Sequence, residues 1–322
     1  MKIKIIGTGS SIPKLRVTNE DLSKRLDTSD EWIKSRTGIE ARHLAIEETT
    51  TGMAVEAVRN AMEQAGVTAD EIDLIVAATV TPDQYLPCLA CEIQSVIGAD
   101  RAVAFDVNAA CSGFLFALNT AQMYLQNGIY KKALVIGAET LSRIMNWEDR
   151  STCVLFGDGA GAVVLSAEED NAGIITFLQG SDGARGGVLS CRNRLTRHLF
   201  LENDTALDYV HMNGQEVYKF AVRTVPHAIE DVLQKAGLAP EDISLFLLHQ
   251  ANIRIIEAVA KRLGQPMEKF PTNLEECGNI SSASVPILLD SVNRHGMIKR
   301  GDKIVLAGFG AGLTWGATVL TW

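Results

Sequence analysis

Positive charge is scarce in this sequence. Thirty Lys and Arg stand against 39 Asp and Glu, leaving a net charge of -9, and the basic residues form no dense run. Neutralising a phosphate backbone needs a basic surface, so nucleic-acid binding is excluded. Long apolar runs are missing too. No stretch approaches the roughly 20 residues needed to cross a bilayer, so no membrane partner is expected. The opening MKIKIIGTGSSIP has an apolar segment too brief for a secretory signal, broken at Gly7 and Gly9. A cytoplasmic protein is expected. The six cysteines, at 88, 91, 111, 153, 191 and 277, lack the spacing of a zinc module or a secreted disulfide scaffold. They read as free thiols. Cys88 and Cys91 form a CxxC with no second pair and no nearby His, which fits small buried side chains rather than a metal site.

What is present is a chain of 322 residues, 47% hydrophobic and 21% charged, enough for two domains or one duplicated one. It contains the same unit twice. AGVTADEIDL from Ala65 matches AGLAPEDISL from Ala236, an offset of 171 in the numbering. The same offset lays Ala133–Gly137 on Ile304–Gly308 and Asn108 on Asn279. In each copy an amphipathic run ends at Gly and an acidic turn follows. The next apolar run, Leu74–Ala78 or Leu245–Leu248, is too short for a helix and reads as an internal strand covered on both faces. Strands and helices alternate throughout, which predicts α/β layers. The polar interruption near residues 168–175 divides the chain into halves at 1–170 and 171–322. Residues 181–214 lack a period and read as an irregular excursion to which no chemistry is assigned.

The segment AVAFDVNAACSGFLFALNTAQMYLQNG reads as strand, tight connection and helix, with Cys111 at the helix start. Unpaired N–H groups and the positive end of the helix dipole favour a thiolate there, as a thioester-exchanging nucleophile requires. A small inert thiol fits the same position equally well. In LFLLHQANIRII, His249 ends a buried strand, and Asn252 and Arg254 open the next helix. In CGNISSASVPILLD, Asn279 stands before a Ser-rich helix start, where Asn is commonly a cap. A duplicated α/β fold gathers the carboxyl ends of its strands, so Cys111 can face His249 and Asn279 across the two halves. FGDGAGA, residues 156–162, lacks the flanking elements and the acid of a dinucleotide fingerprint and reads as close-packed hairpin backbone.

The segments GTGSSIP, DEWIKSRTGI, DVNAACSGF, FGDGAGA, HQANIRI, GNISSASVP and GFGAGLTWG follow one another along nearly the whole chain. In this order the sequence resembles the β-ketoacyl-acyl-carrier-protein synthase III family. The resemblance implies a thiolase-like fold, two duplicated α/β halves in an αβαβα core, and a homodimer. It implies that Cys111 accepts an acyl group from acyl-coenzyme A, and that malonyl-acyl carrier protein then loses carbon dioxide and attacks the acyl-cysteine. His249 and Asn279 would donate hydrogen bonds to the developing enolate, a task suited to neutral preorganised donors. The backbone N–H groups of Cys111 and Ala311 would form a second oxyanion hole. Trp32, Arg36, Arg150 and Asn252 match coenzyme A contacts. Lys219, Arg254, Lys261 and Arg262 match contacts to the acidic carrier protein. The last three share one helix at spacings of seven and eight, which places them on one side. Leu86 stands where many relatives carry a larger aromatic that reaches across from a partner subunit and limits the acyl pocket. No bound cofactor is implied, coenzyme A thioester being substrate.

Relatives with these motifs also condense or transfer unusual acyl groups in specialised metabolism. A cysteine hydrolase would use the same residue types, but the duplication and the missing local signature oppose it. A silent acyl-binding partner subunit conflicts with the complete Cys, His and Asn set. A thiolase proper would carry a second cysteine in HQANIRI or GNISSASVP, where none occurs.

Overall fold

The internal repeat seen in the sequence recurs in the order and pairing of the main strands. The computed structural model describes residues 2–169, 172–192 and 208–322; the expected boundary at 170 and 171 and the middle of the 181–214 excursion lie outside them. The first half runs β1 (Lys2–Ser11), β2 (Leu15–Thr18), α1 (Asn19–Ser23), α2 (Asp30–Thr37), β3 (Ala41–Leu44), α3 (Thr50–Ala65), β4 (Leu74–Ala78), α4 (Leu89–Ile97), β5 (Val103–Val107), α5 (Gly113–Gln126), β6 (Lys132–Thr140) and β7 (Asp158–Glu168). The second runs β8 (Gly173–Ser181), β9 (Leu189–Ser190), β10 (His211–Met212), α6 (Gly214–Ala236), β11 (Leu245–Leu248), α7 (Ile253–Leu263), α8 (Leu274–Cys277), α9 (Ser284–Arg294), β12 (Lys303–Gly310) and β13 (Thr314–Thr321). Four pairs of elements begin at the offset of the sequence repeat: β1 and β8 at 2 and 173, β4 and β11 at 74 and 245, α5 and α9 at 113 and 284, β6 and β12 at 132 and 303.

One sheet has the order β1-β7-β6-β4-β5 and the other β8-β13-β12-β11, the same arrangement without the fifth strand. Both sheets are mixed. β4 pairs parallel with β5 and β6, and β11 parallel with β12, whereas β7 and β13 run antiparallel to both their neighbours.

Side-chain alternation along the strands builds the layers. Leu74, Val76 and Ala78 face a central core with Phe114, Leu118, Leu288 and Leu289 of α5 and α9. Ile75 and Ala77 point the other way, toward α3 and α4. In the second half Leu245 and Leu247 face the same central helices, and Phe246 and Leu248 face α6 and α7. Both faces are therefore apolar, which accounts for the continuous hydrophobic runs. The result is the αβαβα stack, with α5 and α9 enclosed between the sheets. α5 is buried at Phe114, Leu115, Ala117, Leu118, Ala121 and Leu125, more of its circumference than a one-sided helix would cover.

From Asp158 on, FGDGAGA lies on β7, an internal strand paired antiparallel with β1 and β6. Its glycines do serve close packing: a Cβ on Gly161 would sit 2.7 Å from the Ile287 nitrogen at the start of α9. Gly161→Ala should overpack this contact at a cost of about 1–3 kcal/mol. The expected reading is a lower urea midpoint with unchanged slope. An unmoved midpoint would mean that β7 and α9 separate freely.

Candidate active site

Two turns with unusual backbone geometry face each other between the sheets. Among the described residues the non-glycine positions with positive φ are Ala110 and Ser281, at 47° and 46°, and they are equivalent positions of the repeat. Such conformations cost on the order of 1–3 kcal/mol each and persist where the surroundings enforce them. Here each turn feeds a central helix. Ala110 precedes Cys111 and then α5; Ser281 precedes Ser282 and then α9. The asparagine two residues before each bend accepts its N–H: Asn108 Oδ1 from Ala110 at 3.4 Å, Asn279 Oδ1 from Ser281 at 2.8 Å. With Oδ1 engaged in this way, the Asn279 Nδ2 hydrogens are left for another acceptor.

The opposing strand makes room by lacking side chains. A Cβ on Gly310 of β12 would lie 2.6 Å from the Cys111 nitrogen. One on Gly308, two residues back on the same face, would lie 3.3 Å from His249 Cβ and 3.9 Å from the Cys111 carbonyl oxygen. Cys111 and His249, from different halves, thus flank one glycine. His249 follows β11 directly, its N–H donating to the Ala307 carbonyl at 2.8 Å and its ring packing edge-on to Phe309 at 5.5 Å. The turn that carries Ser281 closes the third side, packing against the turn that carries Cys111. The fold thus brings Cys111, His249 and the turn after Asn279 together.

The electrostatics differ from the sequence expectation at Cys111. Burial pushes the thiol up to about 11, partly offset by the Ser281 hydroxyl and by a backbone N–H. A helix start was expected to lower it. α5 begins two residues later, at Gly113, and loss of water outweighs the partial charge of the helix end. His249 is 3% exposed, and burial holds its pKa down to about 3, so the ring is neutral at physiological pH. Its Nδ1 is buried without a partner. An orphaned buried N–H is rarer than an orphaned acceptor, which assigns the proton to Nε2.

At the edge of the site, half-buried Trp32 lies between two guanidinium groups, Arg36 at 4.8 Å and Arg150 at 5.4 Å from the ring centre. Arg150 also donates to the carbonyl and carboxylate oxygens of Asp27. Asn252 caps α7 and donates to the Arg36 carbonyl at 3.0 Å, while Arg254 donates to the Ser35 carbonyl at 2.7 Å. α2 and the start of α7 therefore form one rim. Lys261 and Arg262 lie in the last turn of α7, exposed. Arg262 meets Glu230 at 3.5 Å and Lys219 meets Glu216 at 2.9 Å, both pairs involving α6. Ala311 follows Gly310 in the turn between β12 and β13. Leu86, 85% exposed, stands apart from the cysteine on the segment before α4. Among the described residues no cluster of His, Cys, Asp and Glu converges as a metal site, and no helix is long and apolar enough to cross a membrane.

Comparison with known proteins bears on this geometry. Residues 105–183 match the family described as 3-oxoacyl-[acyl-carrier-protein] synthase III, and residues 233–322 match its C-terminal part. A β-ketoacyl-[acyl-carrier-protein] synthase III from Clostridium acetobutylicum is 50% identical over 99% of this chain and 98% of the relative. The crystal structure of 3-oxoacyl-[acyl-carrier-protein] synthase III from Aquifex aeolicus superposes with a TM-score of 0.93 at 46% identity, covering 99% of this chain and 100% of that one. The chain belongs to the 3-oxoacyl-[acyl-carrier-protein] synthase III family. It is an acyltransferase-type condensing enzyme on a thiolase-like fold. A priming β-ketosynthase from the R1128 polyketide pathway is similar too, at 36% identity, a TM-score of 0.94 and coverage of 99% and 96%.

Sequence reasoning passed over Glu139, Ser281 and Ser282 of this synthase. The available signals were a lone acid ending the apolar run ALVIGAE and the repeat offset, which sets Ser282 against Cys111. Because burial raises the Cys111 thiol, its alkylation rate, followed by mass spectrometry, should keep climbing above pH 9. A plateau below pH 8 would show that the helix end governs it after all. His249, being neutral above about 3, should contribute no inflection near its ordinary 6.5 to the pH profile of malonyl decarboxylation.

Proposed function

We propose that the enzyme condenses a short acyl-coenzyme A starter with malonyl-acyl carrier protein to give 3-oxoacyl-carrier protein, coenzyme A and carbon dioxide, initiating fatty acid synthesis. The Cys111 sulfur attacks the acyl carbonyl and coenzyme A leaves as the thiol. The malonyl carbon–carbon bond then breaks, carbon dioxide departs, and the electron pair is held as an enolate. That carbanion equivalent attacks the acyl-cysteine carbonyl, and the Cys111 sulfur leaves. His249 through Nε2 and Asn279 through Nδ2 donate to the malonyl thioester oxygen as it gains charge, and the N–H groups of Cys111 and Ala311 donate to the acyl oxygen.

The observation carrying this reading is the pairing of a buried thiol with a neutral histidine across Gly308, beside the turn that holds Asn279. A neutral His and an amide whose oxygen is already occupied by Ser281 N–H give up no charge while the enolate forms. No bound cofactor takes part; the thioester itself is consumed.

The aromatic and guanidinium groups of Trp32, Arg36 and Arg150 suit an adenine and its phosphates, with Asn252 on the path inward. Lys219, Arg254, Lys261 and Arg262 supply positive charge on an acidic enzyme for an acidic carrier protein. Support for a homodimer comes from the free edge of the first sheet. Among the described residues β5 has no strand neighbour on one side, and Val103, Tyr124, Tyr85 and Leu86 are exposed, an apolar edge that a two-fold mate would cover. Leu86 would then help shape the partner's acyl pocket. Acidic, without a membrane-crossing helix among its described residues, the enzyme is placed in the cytoplasm by this reading.

Incubation with acetyl-coenzyme A should add one acetyl group to the Cys111 peptide, and Cys111→Ala should abolish the addition. Equal labelling of the variant would overturn the nucleophile assignment. Replacing His249 or Asn279 by Ala should spare acylation and remove malonyl decarboxylation. A panel of starters of increasing length separates acetyl-type priming from the choices of a specialised pathway such as that of the R1128 relative. Val103→Lys should convert the dimer to monomer by sedimentation.

A further inference from the structure

The mechanism leaves one buried acid unused. Glu139, at the end of β6, is fully enclosed and has no cationic partner among the described residues. In the repeat it occupies the position that Gly310 holds in the other half. Where Gly310 lets its strand close directly on Cys111, the Glu139 side chain at the matching position reaches Ser282.

The hydrogen bonds around it fix its chemistry. Glu139 Oε2 accepts from Thr81 Oγ1 at 2.7 Å, the Val80 N–H at 3.0 Å and Thr79 Oγ1 at 3.3 Å. Both threonine hydroxyls have their protons free for this, since Thr81 Oγ1 accepts the Thr140 N–H and Thr79 Oγ1 accepts the Thr81 N–H. The other oxygen, Oε1, lies 2.7 Å from Ser282 Oγ. That same hydroxyl lies 3.0 Å from the Ala78 carbonyl. A serine hydroxyl has one hydrogen, and both neighbours would be acceptors if Glu139 were ionised. A proton on Oε1 satisfies both contacts: Glu139 donates to Ser282, and Ser282 donates to Ala78. An uncompensated carboxylate in this enclosure would be strongly disfavoured besides.

We propose that Glu139 is a neutral carboxylic acid that positions the Asn279 turn by donating a hydrogen bond to Ser282. Ser282 sits next to Ser281, whose N–H fixes the Asn279 amide, so the chain of contacts runs from the first sheet to the donor of the second half. A neutral acid also spares the nucleophile. The Cys111 thiol is the titratable group facing Glu139, and the charge of a carboxylate there is itself one of the causes that raise the thiol. Glu139 is thus a positioning residue, and its proton is part of the position. Burial shifts Glu139 in the same direction, toward the protonated form.

This inference rests on the roles proposed for Cys111 and Asn279, and its test is arranged to separate the two. Infrared spectra of the whole enzyme at neutral pH should contain a protonated-carboxyl carbonyl band that is lost in Glu139→Gln; any band from Asp158, also buried, survives that change. Gln keeps one acceptor and gains an N–H donor, so it should rescue malonyl decarboxylation to within a few-fold of wild type. Glu139→Leu and Ser282→Ala should each leave Cys111 acylation intact and slow decarboxylation roughly 10- to 100-fold through a displaced Asn279. Should the Leu variant fail to fold, Ser282→Ala and the infrared band decide. Identical spectra for wild type and Glu139→Gln, or equal losses of acylation and decarboxylation in Ser282→Ala, would overturn the proposal. Failure of wild-type Cys111 to acylate would instead overturn the proposed function, and the infrared result would stand.

Discussion

Everything in this enzyme's site depends on the close approach of each half's turn to a glycine of the other half's sheet. Gly137 on β6 lies so near the Ser282 carbonyl that a Cβ would sit 2.4 Å from the oxygen, and Gly310 on β12 lies as tightly against Cys111. Neither contact tolerates a side chain, and together they hold two bent turns face to face between the sheets. The positive φ at Ala110 and Ser281 is maintained by this packing, because the central helices that follow each turn are buried in a shared core.

Duplication supplied two turns of the same shape, and divergence gave them different work. In the first half a cysteine stands opposite Gly310, whose missing side chain lets the strand close on it. In the second half a serine stands opposite Glu139, whose side chain bonds it in place. The second turn carries Asn279, whose amide oxygen is held by the Ser281 N–H.

Much of the fold was legible before any coordinates. The repeat offset located the paired strands to the residue, because burial on both faces forced apolar runs that vary little in length. The meeting of Cys111, His249 and Asn279 followed from the same logic. The antiparallel strands β7 and β13 were harder to read: FGDGAGA is too rich in small residues to show alternation, its positions being spent on approach to α9. The role of Glu139 was hidden in another way. A single acid after a buried run looks like the strand's exit to solvent, whereas here the strand ends inside the molecule.

Local pattern and motif order were sufficient for the layered α/β architecture, the duplication and the family, since these depend on periodicity and on residue type. Protonation states were not available from the same source. A cysteine near a helix start suggested a lowered thiol, and enclosure raised it; enclosure also holds the histidine after β11 neutral. Those outcomes depend on how much water is excluded and on which donors arrive from distant parts of the chain. Three-dimensional packing alone sets both.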